Sequence, residues 1–246
     1  MGALRRPGAR TGGCRLTQSD ARDFVTLRLS GPPPHLLARR VVYLPTAVVC
    51  EPTSPAVVIG STQPESDVDR ARCSREGIEV VRRRSGGGAV LVRPGAQVWI
   101  DVFIPRGDPR FREDVLKSFA FLGQAWRAGL AAAIGAPLHS LAVVAGRTGK
   151  AMPWSAKACF AGLGAGEILL DNRKVVGISQ RRDRSGAWFH SMAMLDFDPG
   201  ELPGLFDLSE AERHAAGARL AAAAASVPGG RAVAGALVSA VLGALS

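Results

Sequence analysis

The chain has 246 residues, 47% hydrophobic and 21% charged, enough apolar material for one large domain, or one with a small appendage, and too ordered a composition for a disordered chain. Lys and Arg number 31 against 21 Asp and Glu, and the net charge of +10 calls for an acidic partner: nucleic acid, anionic lipid or an acidic protein. Arginines are scattered apart from the 82–84 and 181–184 groups, and a single tyrosine gives little support to a stacking platform for single-stranded nucleic acid.

Cys14, Cys50, Cys73 and Cys159 are far apart with no Cys-x-x-Cys pair, which suggests neither a zinc site nor a disulfide framework and fits reduced thiols in the cytoplasm. The basic N-terminus lacks the apolar run of a secretory signal. The apolar C-terminus is broken by Pro228, Gly229, Gly230 and Arg231 into pieces too short to cross a membrane.

Residues 1–38, rich in Arg, Gly and Pro, read as a loosely ordered basic extension, and the packed fold is expected to start near Val41. Val41–Cys50 and Ala56–Ile59 read as two strands joined by a turn at Pro52 and Pro55. A short helix follows over Ser66–Glu76, capped by Ser66 and ended by Gly77. Strands are expected over 78–84, 89–92 and 98–104, then a helix in which Val115, Phe119, Leu122, Trp126 and Leu130 recur at helical spacing. Residues 139–166 read as a loop-rich segment near a site. Next come a hairpin of 167–170 and 174–180 about a turn at 171–173, and a third strand over 187–197. The alanine-rich 209–225 and 231–245 stretches form two helices, so that a domain over 41–200 carries a helical tail over 201–246.

The candidate site centres on Arg82-Arg83-Arg84-Ser85-Gly86-Gly87-Gly88-Ala89-Val90. Three glycines between two β-prone runs let main-chain N–H groups approach a ligand, most usefully an anion, with cationic side chains beside them. A strand follows these glycines and they are contiguous, so the loop is neither a dinucleotide fingerprint nor a P-loop.

This string resembles the RRxSGGGAV element of the lipoate-protein ligase branch of the biotin/lipoate ligase superfamily, through Arg82, Arg83, Ser85, Gly86, Gly87, Gly88, Ala89 and Val90. Upstream, Ile59, Gly60 and Gln63 match the family's IGRxQ element, with Ser61 where arginine is common. Downstream, the run from Asn172 to Gln180 resembles GRKIxGxAQ and includes Lys174 and Gly177. Ala158-Cys159-Phe160 resembles the ACF element of the superfamily's cysteine-dependent octanoyltransferases. The HDxGN element of many ligases is replaced by Val92-Arg93-Pro94-Gly95-Ala96.

The resemblance covers roughly 41–198 and implies a class II synthetase-like α/β (α+β) domain, a mixed β-sheet with packed helices. It implies attachment of lipoate or octanoate to a lysine of an acidic lipoyl carrier domain or glycine-cleavage H-type protein through an acyl-adenylate. ATP and Mg²⁺ would then be used, Arg82 and Arg83 would aid phosphate, Gly86, Gly87 and Gly88 would close over the acyl-nucleotide, and Lys174 would polarise the carbonyl. No residue is singled out as a metal ligand. The alternative is an ATP-independent transferase in which Cys159 forms a thioester, with Lys157 or Lys174 favouring its thiolate and His139 or His190 as possible bases. A non-catalytic relative that binds carrier proteins or nucleic acid ranks last.

Overall fold

A computed structural model describes residues 23–38, 43–146 and 153–245. In chain order the elements are β1 (Val25–Gly31), α1 (Pro33–Leu37), β2 (Thr46–Pro52), β3 (Ala56–Ile59), α2 (Arg70–Arg75), β4 (Glu79–Arg82), β5 (Val90–Val92) and β6 (Gln97–Pro105). They continue with α3 (Ala120–Ile134), β7 (Leu141–Val143), β8 (Ile168–Leu170), β9 (Arg173–Arg182), β10 (Gly186–Met194), α4 (Glu201–Gly204), α5 (Glu210–Ala223) and α6 (Ala234–Leu245).

Seven strands form one mixed sheet in the order β1-β2-β6-β10-β9-β8-β7, and β4-β3-β5 form a second. On one face of the large sheet Ile100, Val102 and Ile104 of β6 meet Leu122, Trp126 and Leu130 of α3, and α6 adds Leu237 and Val241 to the same core. On the other face Cys50, Trp99 and Met192 meet Val57 and Ile59 of the small sheet, together with Phe206 and Leu220. Side chains alternate across a strand, so one stretch of β6 supplies both cores. The β8–β9 hairpin turns through Asp171 and Asn172, both at positive φ, the backbone that a two-residue connection of twisted strands demands.

Two expectations are corrected. Residues 25–37, read as part of a loose extension, form β1 and α1, and β1 extends the sheet by pairing parallel to β2 from Val25↔Thr46 to Gly31↔Pro52. The signal was present: Val25, Leu27 and Leu29 alternate with Thr26, Arg28 and Ser30, but the proline run that follows masks it. Residues 1–22 and 41–42 lie outside the described residues. The helix expected over 66–76 is split, because Val68 pairs with Phe206 and the Asp69 N–H donates to the Leu205 carbonyl (2.9 Å), which holds the chain extended there. Asp69, not Ser66, caps α2 through the Arg72 N–H (2.8 Å). The alanine-rich C-terminal stretch is helical as expected, with α6 packed in one core and α5 contributing Leu220 to the other.

Candidate active site

The Gly-rich loop is braced by its own arginines. Arg83 is buried, and its guanidinium donates to the carbonyls of Gly86 (2.7 Å), Gly88 (2.9 Å) and Val58 (3.1 Å) and to Ser85 Oγ (3.1 Å). Arg82 Nη1 caps the carbonyls of Gly60 (2.8 Å) and Gln63 (2.7 Å). Both side chains thus brace the chain around the loop, Arg82 also reaching Glu65 Oε1 (3.4 Å). The N–H groups of Gly86, Gly87 and Gly88 donate to no described residue, which leaves them for a ligand oxygen. Ser85 Oγ meets Ser179 Oγ of β9 at 2.8 Å and ties the loop to the large sheet.

Two glycines let chain segments cross. A Cβ on Gly60 would sit 1.8 Å from the Gly87 oxygen, so the turn after β3 can underlie the loop only as glycine. A Cβ on Gly88 would sit 2.7 Å from the Ala158 nitrogen. At that crossing Ala89 pairs with Ala158: the Ala89 N–H donates to Lys157 O (2.7 Å) and the Cys159 N–H to Ala89 O (2.9 Å). Gln63, also buried, accepts from the Gly60 N–H (3.3 Å) and donates to the same Lys157 carbonyl (3.0 Å). Motifs separated by some hundred residues are thereby stitched around Cys159.

Lys174, at the start of β9, is 1% exposed. Its ammonium donates to Cys159 O (2.9 Å) and Gly162 O (3.1 Å), pairs with Glu167 Oε1 (2.7 Å), and lies 3.9 Å from Cys159 Sγ and 4.9 Å from the Phe160 ring centre. Burial pushes a lysine down, but Cys159 and Glu167 more than offset it, and the ammonium is held above its ordinary value. Glu167, equally deep, also accepts from the N–H groups of Gly164 (2.7 Å) and Ile178 (3.2 Å); burial pushes its carboxyl up, and Lys174 opposes that. Of the two lysines expected beside the thiol, Lys157 instead pairs with Asp67.

Cys159 and Arg83 open onto a cavity of about 460 Å³, part of it open to solvent, and Gly177 forms some of its wall. The apolar wall is made by Val58, Val92, Trp99, Phe160 and Met192. A mostly apolar lining with a few polar groups among it suits an acyl chain. His190 lines the same cavity with Nδ1 2.9 Å from the buried Asp101, whereas His139 is exposed on a separate turn.

A family model described as the lipoyl protein ligase A/B catalytic domain matches residues 36–227. The chain belongs to this lipoyl protein ligase A/B family. Octanoyltransferase LipM of an Exiguobacterium species is 28% identical over 167 residues, which are 67% of this chain and 59% of that protein, so the chain spans less than two thirds of the curated relative's length. A bi-partite lipoate protein ligase of Thermoplasma acidophilum superposes with a TM-score of 0.63 at 16% identity, over 91% of this chain and 84% of the other. A lipoate-protein ligase A bound with ATP does so with a TM-score of 0.62 at 17% identity, over 91% and 85%. At these identities the superpositions establish the shared fold.

Within the family frame, the turn that carries HDxGN in many ligases closes on itself here. Gln97 bonds the Arg93 main chain at both N–H (3.1 Å) and carbonyl (2.7 Å), and the Arg93 side chain pairs with Glu201 (2.8 Å). Among the described residues no three His, Cys, Asp or Glu side chains gather as a metal site. The Arg82 and Arg83 guanidinium groups are engaged by main-chain carbonyls, and the turn at 92–96 is held by Gln97 and Glu201. Sequence reasoning also missed Glu167, whose one mark is an acidic residue placed directly before the apolar run of β8.

Proposed function

We propose that the chain is an acyltransferase that moves an octanoyl or lipoyl group through a thioester on Cys159 to a lysine of a lipoyl carrier domain. The observation that carries this reading is Cys159 in the wall of a mostly apolar cavity, its Sγ 3.9 Å from a buried ammonium. The printed activity of the LipM relative and the lipoyl-domain partner named with the Thermoplasma ligase support the substrate and acceptor classes. The acyl-adenylate reading drawn from the motifs yields its first place because the two arginines it needs for phosphate are bound to main chain.

The chemistry uses the chain's own groups. In the first step Cys159 sulfur attacks the carbonyl carbon of an acyl thioester, its S–C bond forms as the donor's C–S bond breaks, and the donor leaves as a thiolate that takes a proton from solvent. On this reading Lys174, 3.9 Å from the sulfur, and the N–H groups of the Gly-rich loop are the groups assigned to the oxygen on which negative charge develops. In the second step the carrier amine takes the acyl group and the sulfur is released. The cavity wall meanwhile shields the thioester from water.

The test compares wild type with Cys159→Ser under two regimes: an octanoyl thioester donor without ATP, and free octanoate with ATP. The expected result is carrier acylation by wild type in the first regime and none by the variant. ATP-dependent acylation retained by Cys159→Ser would return the ligase reading.

A further inference from the structure

The charges around Lys174 are unequal in permanence. Glu167, Cys159 and Arg83 are the ionisable groups that act on its ammonium, and the carbonyls of Cys159 and Gly162 and the Phe160 ring complete its surroundings. Arg83 is a cation and opposes the ammonium. The Cys159 sulfur can be an anion only while it is free, because a thioester is neutral. Resting on the transferase reading, we propose that Glu167 is the standing counter-ion of Lys174, a positioning residue that keeps the ammonium charged while Cys159 holds the acyl group.

The geometry is specific to this role. Glu167 is 3% exposed, reaches Lys174 Nζ at 2.7 Å, and is itself fixed by the N–H groups of Gly164 and Ile178. Its contacts are the ammonium and these main-chain N–H groups, so it acts on the acyl group through the lysine. In the second half-reaction the N–C bond forms, the carbonyl electron pair moves to oxygen beside Lys174, and the C–S bond then breaks with its pair left on Sγ. The proton shed by the nitrogen goes to solvent. A buried lysine without an anion loses its proton easily, so both charge development and thiolate release would lack their cation if Glu167 were neutral.

The test uses the full chain and Glu167→Gln, which keeps shape and removes charge. Cys159 is first loaded from an octanoyl thioester, and transfer to a carrier lysine is then timed from about pH 6 to about pH 9. Loading of the variant should match wild type, since the thiolate is then present to hold Lys174. The variant-to-wild-type ratio for transfer should lie near one at the acidic end and fall on the order of tenfold or more as pH rises through the lowered lysine pKa. A ratio flat across pH, or equal losses in both half-reactions, would overturn the proposal. Should Glu167→Gln fail to fold, Glu167→Asp decides: retained charge predicts a flat ratio, and a ratio falling with pH would contradict it. Failure of wild type to form any Cys159 adduct would remove the transferase reading and this inference with it, whereas an adduct with a flat ratio removes this inference alone.

Discussion

At the scale of single residues, the Lys174–Glu167 pair links stability to chemistry. Lys174→Met leaves a carboxylate buried without its cation, which costs about 3–5 kcal/mol. Adding Glu167→Gln removes both charges and should recover most of that loss in urea unfolding, while acyl transfer stays at least on the order of a hundredfold down in both variants. A double variant as unstable as the single one would separate the pair from the fold. Lys174 was legible because the motif around it is long and ordered; as a lone lysine it would read as exposed, and only the fold shows it buried. Glu167 was not legible. Its meaning comes from a contact between the residue before β8 and the start of β9 that periodicity does not encode, and likewise the charge of the Gly-rich loop's arginines is visible in the sequence while their main-chain partners are not.

At the scale of elements, the site depends on one short pairing, Ala89 with Ala158, which sets the nucleophile beside the loop. Gly88→Ala would drive a Cβ to within 2.8 Å of main-chain atoms of Lys157 and Ala158 and push that pairing apart. We expect Cys159 loading to fall by roughly tenfold or more, since small misplacements of reacting groups are costly, with a melting temperature lowered by only a few degrees. Loading at the wild-type rate would show that the crossing does not place Cys159. The strands of the 167–194 meander and the alanine-rich helices were legible from alternation and propensity, because those signals are local. The entry of β1 into the sheet and the split near Val68 were not, because each rests on pairing with a distant segment.

At the scale of the molecule, the charge of +10 suits an acidic carrier, and the basic run at the end of β9 and in the turn that follows is the candidate surface for it. Arg181 and Arg184 are exposed, but Arg182 donates to the carbonyls of Arg112 (2.6 Å) and Glu113 (2.8 Å) and braces that loop. Screening shortens from about 10 Å at 0.1 M salt to about 3 Å at 1 M, so transfer to a carrier should slow with salt while loading from a small thioester changes much less. Arg181/Arg184→Ala should flatten that salt dependence; an unchanged slope would leave the basic surface without this role. The central claim is covalent, and one measurement meets it directly: the intact mass of the protein after incubation with an octanoyl thioester in the absence of ATP. The account predicts an octanoyl adduct on Cys159 that disappears when a lipoyl carrier is added and reappears on the carrier's lysine. Unmodified protein, with carrier acylation appearing only when octanoate and ATP are supplied, would contradict it.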